Sequence, residues 1–185
     1  MNKVDTKYLS TSGLATKSWG PSGWMFLFSC IMGGYPPVID NKNPEHLKIK
    51  KHFKNMFESL GYTMPCVFCR DSFKVFYKEL PIDKFLSNRI ELMRWLYLIR
   101  NKVNEKLIQQ EIDCYNNEKK RLKIIYYSSN KSTDDKKMYY DNLKKFKSET
   151  FCTKKSPPFK EVLDRFENIR ATCSKKAKTC ALPKK

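Results

Sequence analysis

Leu92-Met93-Arg94-Trp95-Leu96-Tyr97-Leu98-Ile99-Arg100-Asn101-Lys102-Val103-Asn104-Glu105-Lys106-Leu107 carries the clearest periodicity in the chain. Leu92, Trp95, Leu96, Ile99, Val103 and Leu107 recur at the three- and four-residue spacing of one helix face. Asn88 precedes the run and Glu91 follows three residues on, the pattern of an N-cap with its reciprocal partner. Upstream, a second helix is expected from about Pro44, with Phe53, Met56, Phe57 and Leu60 on one face and Gly61 closing it. A first is expected to begin near Trp19-Gly20-Pro21-Ser22-Gly23-Trp24 and to stop at Gly33-Gly34-Tyr35-Pro36-Pro37. A third opens at Pro65-Cys66 and carries Phe73, Phe76 and Tyr77 to Leu80-Pro81. Four short antiparallel helices with brief loops make an all-α four-helix bundle.

Beyond Cys114 the pattern loosens. Residues 115–127 extend as helix, 128–135 form a polar break, and 136–149 are Lys-rich and weakly amphipathic. Pro157-Pro158 starts another helix through Val162, Leu163, Phe166 and Ile169. The expected organisation is an N-terminal arm (1–17), the bundle (18–114) and a basic, partly helical C-terminal region (115–185).

Composition limits the functions. Of 185 residues 41% are apolar and 14% aromatic, too many for a disordered chain. The longest apolar stretch, residues 24–32, is less than half of the roughly 20 residues that a membrane span needs. No secretory-signal pattern is read, so a soluble product of cytosolic synthesis is expected. The net charge of +18 invites a nucleic-acid reading. Its distribution speaks against one: 17 basic and 11 acidic residues lie in 1–114, and 20 and 8 in 115–185. These basic groups are mostly Lys scattered beside Asp, Glu or Asn, whereas nucleic-acid surfaces gather Arg and aromatics in a patch. A non-catalytic helical scaffold, or a basic nucleic-acid module with structural cysteines, is the alternative to an enzyme.

Cys66-Val67-Phe68-Cys69 is the strongest chemical signal among seven cysteines. Two thiols three apart at a helix start form a reducible pair, and the helix dipole favours the thiolate. The pair also fits half a zinc site or two structural thiols. Zinc needs two more ligands, yet His46 and His52 lie upstream and the next downstream cysteine is Cys114, so no metal is expected. A thioredoxin-type site would follow a strand, and the neighbouring segments read as helices. Cys30, on an apolar helix, is expected to be a buried spectator.

Trp19-Gly20-x-x-x-Trp24, Pro65-Cys66-x-x-Cys69-Arg70 and Arg100-Asn101-x-Val103-Asn104-x-x-Leu107, in this order and at these separations, resemble the Erv/ALR family of FAD-linked sulfhydryl oxidases. The resemblance covers about residues 18–114. It implies a small helical bundle that holds FAD, usually as a homodimer, and oxidises protein dithiols to disulfides. Electrons pass through the flavin to O2, giving H2O2. It implies Cys66 as the thiol that exchanges with incoming dithiols and Cys69 as the thiol against the flavin. Trp19, Gly20, Trp24, Phe28 and Tyr35 are the implied cofactor contacts of the first helix and the turn after it. Arg100, Asn101, Val103, Asn104 and Lys106 are those of the fourth. Trp24 with Phe28, plus Trp95 of the fourth helix, fit a flat apolar slot, plain core packing being the alternative for the tryptophans and an equal reading for Trp95; Asn101 and Asn104 share a helix face.

The chain departs from the family pattern at several points. Pro21 stands where Arg is frequent, and Phe28 and Arg100 stand where His is usual. Tyr97 replaces the first cysteine of a structural pair whose second is Cys114, leaving the pairing of Cys114 and Cys152 open. These features resemble the oxidases of large cytoplasmic DNA viruses, implying host cytoplasm or virion; a cellular protein would sit in the mitochondrial intermembrane space. Cys173 and Cys180, among several lysines, suit a shuttle disulfide relaying electrons to Cys66, with a structural disulfide, or pairing of either with Cys152, as the alternative. Protein dithiols or a thioredoxin-like relay protein are the implied partners, with no membrane.

Overall fold

The computed structural model describes residues 13–171. Among them are six α-helices and no β-strand: α1 Thr16–Gly34, α2 Pro44–Thr63, α3 Val67–Glu79, α4 Arg89–Ser128, α5 Thr133–Thr150 and α6 Phe159–Glu167. A short 3-10 turn, Ile82–Phe85, precedes α4. The described residues divide into two compact units, one made of residues 13–99 with 157–171 and the other of Arg100–Ser156.

The first unit is built on local signals that agree with its helices. Asn43 caps α2, its Oδ1 accepting the N–H groups of Glu45 at 2.9 Å and His46 at 3.4 Å, with Pro44 at the first helical position. Asn88 caps α4 in the same way, accepting the Glu91 N–H at 2.8 Å. α1 departs from expectation. It begins at Thr16 rather than near Trp19 and carries Pro21 inside it. An interior proline removes a backbone bond and crowds the carbonyl four residues back, at a cost of about 3 kcal/mol. Tertiary ties hold the segment nonetheless. Leu14 N–H donates to Pro65 O at 2.6 Å, and the Trp19 indole N–H donates to Leu14 O at 3.3 Å.

The core gathers residues from α1, α2, α3, α4 and α6. Trp95 is wholly buried, edge-on to Phe57 (4.8 Å between ring centres) and to Tyr77 (5.9 Å), with its indole N–H on Leu80 O at 2.9 Å. It is a core residue whose polar atom is satisfied internally. The turn after α1 is stitched to the start of α4. Tyr35 is buried with its hydroxyl on Leu86 O at 2.8 Å, and Arg89 Nε donates to Tyr35 O at 2.7 Å. Val38 and Asn88 form an isolated antiparallel bridge. α6 adds Val162 and Phe166 to the core, Phe166 lying 5.4 Å from the Phe28 ring. Tyr97 donates its hydroxyl to Pro157 O at 2.9 Å and packs on Phe159 at 5.3 Å. A hydrogen bond and a ring contact therefore join the fourth helix to the segment before α6.

α4 is 40 residues long, not short, and the helix passes Cys114 without a break. The second unit contains its later part and α5, joined by a tight turn. Ser132 caps α5 in a capping box with Asp135: Asp135 N–H to Ser132 Oγ is 3.1 Å and Ser132 N–H to Asp135 Oδ2 is 3.0 Å. The helices meet through Tyr126 on Tyr139 and Tyr115 on Phe151. The Glu111 carboxylate collects the Thr153 N–H at 2.9 Å and its hydroxyl at 2.6 Å.

Truncating Trp95 to Ala should lower unfolding stability by about 3–5 kcal/mol, read by chemical denaturation. Tyr97→Phe keeps the ring and loses the bond to Pro157, for a loss of about 1 kcal/mol in the same measurement.

Candidate active site

Cys66 has extended backbone geometry and caps α3, whose first residue is Val67, so Cys69 falls in the first helical turn. The two thiols are unbridged, Cys66 buried and Cys69 half-buried. A segment distant in sequence covers them. Gly13 pairs with Cys66 in an isolated antiparallel bridge, and the Leu14 N–H bonds to Pro65 O. Gly13 has φ +84°, and a Cβ there would run into the Pro65 carbonyl. Only glycine satisfies both conditions. Three residues after Gly13, Thr16 Oγ1 lies 3.5 Å from Cys69 Sγ and donates to Cys66 Sγ at 3.9 Å.

Burial pushes the Cys66 thiol up, but its surroundings outweigh that effect. The Cys69 thiol and N–H, the Thr16 hydroxyl and the Phe68 N–H all favour the thiolate, and Cys66 ends below its ordinary value. Cys30 is half-buried rather than buried, and burial raises its thiol. The two cysteines therefore differ in kind: one is set toward thiolate and one away from it. Arg70, next to the pair, donates from Nη1 to Met64 O at 2.5 Å and so anchors the turn leading into α3.

The residues expected to contact a cofactor fall into separate groups. In the first unit Trp19 and Trp24 are half-buried and Gly20 is buried; the Trp24 and Phe28 rings lie 6.4 Å apart. Phe28 and Tyr35 are core residues with 1% and 0% exposure, Phe28 between Trp24 and Phe166. Burial pushes the Tyr35 phenol up to about 12, so it stays neutral. Trp95, read from the sequence as either slot or core, is a core residue enclosed by Phe57 and Tyr77.

In the second unit Arg100, Asn101, Val103 and Asn104 are half-buried, and Lys106 is exposed. Asn104 donates from Nδ2 to Ser156 Oγ at 2.8 Å and to Lys154 O at 3.4 Å. Asn101 differs: its Oδ1 is buried with no hydrogen-bond partner. An unmet buried acceptor costs about 1–3 kcal/mol, so this atom suits a bound donor. Cys114 and Cys152 are exposed, free thiols. Cys173 and Cys180 lie outside the described residues. Sequence reasoning missed Thr16 and Gly13, because their contacts to the cysteine pair span about 50 residues and leave no local pattern.

Residues 21–126 match the Erv1 / Alr family. The chain is 32% identical over 92 residues to a probable FAD-linked sulfhydryl oxidase, R368, of Acanthamoeba polyphaga mimivirus, covering 49% of this chain and 59% of that protein. It is 31% identical over 95 residues to the mitochondrial FAD-linked sulfhydryl oxidase ERV1 of Saccharomyces cerevisiae, covering 51% of this chain and 46% of that one. The chain thus spans about half the length of these relatives. With more than half of its residues matched, the chain belongs to the Erv1 / Alr family.

Proposed function

We propose that this protein is an FAD-dependent sulfhydryl oxidase that converts protein dithiols to disulfides and delivers the electrons to O2, giving H2O2. The observation that carries this reading is the paired thiols at the start of α3, where Cys66 is set toward the thiolate beside Cys69. The relatives, both named FAD-linked sulfhydryl oxidases, support the same activity and cofactor. The unmet Oδ1 of Asn101 suits an amino or imide donor of the nucleotide. In the first unit, Trp24 offers a half-buried indole against Phe28. When bound, FAD supplies a two-electron acceptor that is reoxidised by O2.

The protein's own residues perform the exchange. With Cys66 and Cys69 joined as a disulfide, a substrate thiolate attacks Cys66 Sγ. A substrate–Cys66 bond forms, the bond to Cys69 breaks, and Cys69 leaves with the electron pair as a thiolate. The second substrate thiol loses its proton to solvent and attacks the substrate sulfur of this mixed disulfide. Cys66 then leaves as a thiolate. The substrate is oxidised by two electrons and the cysteine pair is reduced by two. A leaving thiol of low pKa departs faster, which is the use of a lowered Cys66.

Cys173 and Cys180, with Lys175, Lys176 and Lys178 between them, are proposed as a relay between substrate and Cys66. A homodimer belongs to the same reading, and the exposed Met25 and Phe26 of α1 are in keeping with it. A viral protein with this chemistry would act in the host cytoplasm or virion, a cellular one in the mitochondrial intermembrane space. No helix among the described residues is long and apolar enough to cross a membrane.

Purified protein should be yellow and consume oxygen with dithiothreitol, and Cys66→Ser and Cys69→Ser should each abolish that uptake while the colour remains. Colourless protein that takes up no added FAD would overturn the assignment. Replacing both Cys173 and Cys180 with Ser should slow oxidation of a reduced protein substrate several-fold and spare dithiothreitol. Equal loss with both substrates, or no loss with either, would refute the relay.

A further inference from the structure

The contact between α1 and the cysteine pair has a chemical consequence of its own. Thr16 is the first residue of α1, and its hydroxyl lies within reach of both sulfurs, 3.5 Å from Cys69 and 3.9 Å from Cys66. Its position is fixed from two sides. The bridge of Gly13 to Cys66 and the Leu14 bond to Pro65 fasten the preceding backbone to the entrance of α3. One helical turn later, Gly20 leaves room for the Thr16 methyl, because a Cβ at residue 20 would come within 3.3 Å of it. With the methyl against Gly20, the hydroxyl is directed to the sulfurs.

We propose that Thr16 is a positioning residue of the dithiol site, its hydroxyl donating a hydrogen bond to whichever sulfur carries the negative charge during exchange, first Cys69 and then Cys66. This rests on the oxidase reading and adds to it the group that stabilises the two leaving thiolates. A hydroxyl has one proton to donate and rotates freely, so it serves the two sulfurs in turn. Hydrogen bonds to a charged acceptor are stronger than those to a neutral one, so the contact favours thiolate over thiol. The lowered Cys66 thiol is in keeping with this. The charged side chains at these two helix starts are Lys17 on α1 and Arg70 and Asp71 on α3. Arg70 is bonded to Met64 O, and Asp71 pairs with Lys74 at 4.0 Å. Cys66 is also only 8% exposed, so the same segment covers the thiol that it activates.

The test measures thiol chemistry in the reduced full-length protein, without oxygen. The rate of Cys66 alkylation by iodoacetamide is followed by peptide mass spectrometry across a pH series. Thr16→Val preserves shape and removes the donor. It should move the midpoint of the profile to higher pH and slow alkylation at neutral pH by about three- to tenfold. Thr16→Ser should restore the wild-type profile. Thr16→Ala should match Thr16→Val and decides the matter if the valine variant folds poorly. An unchanged midpoint in both Val and Ala variants would overturn the proposal, as would faster alkylation at an unchanged midpoint, the mark of a mere cover. A shifted midpoint that serine does not restore would overturn it too. A protein that shows the shift but consumes no oxygen with dithiols would fail the oxidase reading alone. An active oxidase with an unchanged thiol profile would fail this proposal alone.

Discussion

The first unit depends on the burial of two turns of one helix. Leu92, Met93, Trp95, Leu96 and Ile99 of α4 are all at 0% exposure, and the other helices of the unit contribute to the core around them. Trp95 imposes the strictest condition. Its ring must be enclosed by Phe57 and Tyr77 while its N–H finds a carbonyl, and Leu80, where α3 ends, supplies one. A buried indole without that acceptor would lose much of what its area contributes. The end of α3 is therefore tied to α4, and the start of α3, where the cysteines sit, is placed by the other end of a 13-residue helix.

A second constraint acts at that other end. A cysteine pair at a helix start is common chemistry, but its reactivity depends on what lies over it. Here the N-terminal segment lies over it, paired through backbone atoms at Gly13 and Leu14 and through a hydroxyl at Thr16. Backbone pairing there requires a positive φ and a missing side chain at Gly13. One set of contacts thus serves both the fold and the thiols.

Much of this was legible in residues 1–114. Apolar periodicity identified α2 and the start of α4, asparagine caps marked their beginnings, and glycine-proline clusters marked where α1 stops. Pro158 before α6 and the polar turn before α5 were equally plain. The length of α4 was legible only in part: residues 115–127 read as helix and 128–135 as a break, but the fourth helix itself read as short. Beyond Ile99 its sequence is polar and Lys-rich, and nothing local stops the helix before Ser128. The contacts that accompany its later part, Tyr126 with Tyr139 and Glu111 with Thr153, come from α5 and the segment after it. The site was half legible: the cysteines stood out by spacing, while Trp95 read as well for a ring-binding slot as for a core, and Phe28 and Tyr35, implied as cofactor contacts, are core residues. Periodicity reports which face of a helix is apolar, never which partner covers it.

The sequence by itself determined the helical class, several helix starts and stops and the cysteine pair at the start of α3, because those depend on residues within a few positions of one another. Only the tertiary structure decided that Trp95 and Tyr35 belong to the core, that Tyr97 joins α4 to the segment before α6, and that Thr16 reaches both sulfurs. The reason is range. Caps and periods act over three or four residues, whereas Thr16 meets Cys66 across 50 and Tyr97 meets Pro157 across 60. Contacts of that separation exist only once the chain has closed on itself.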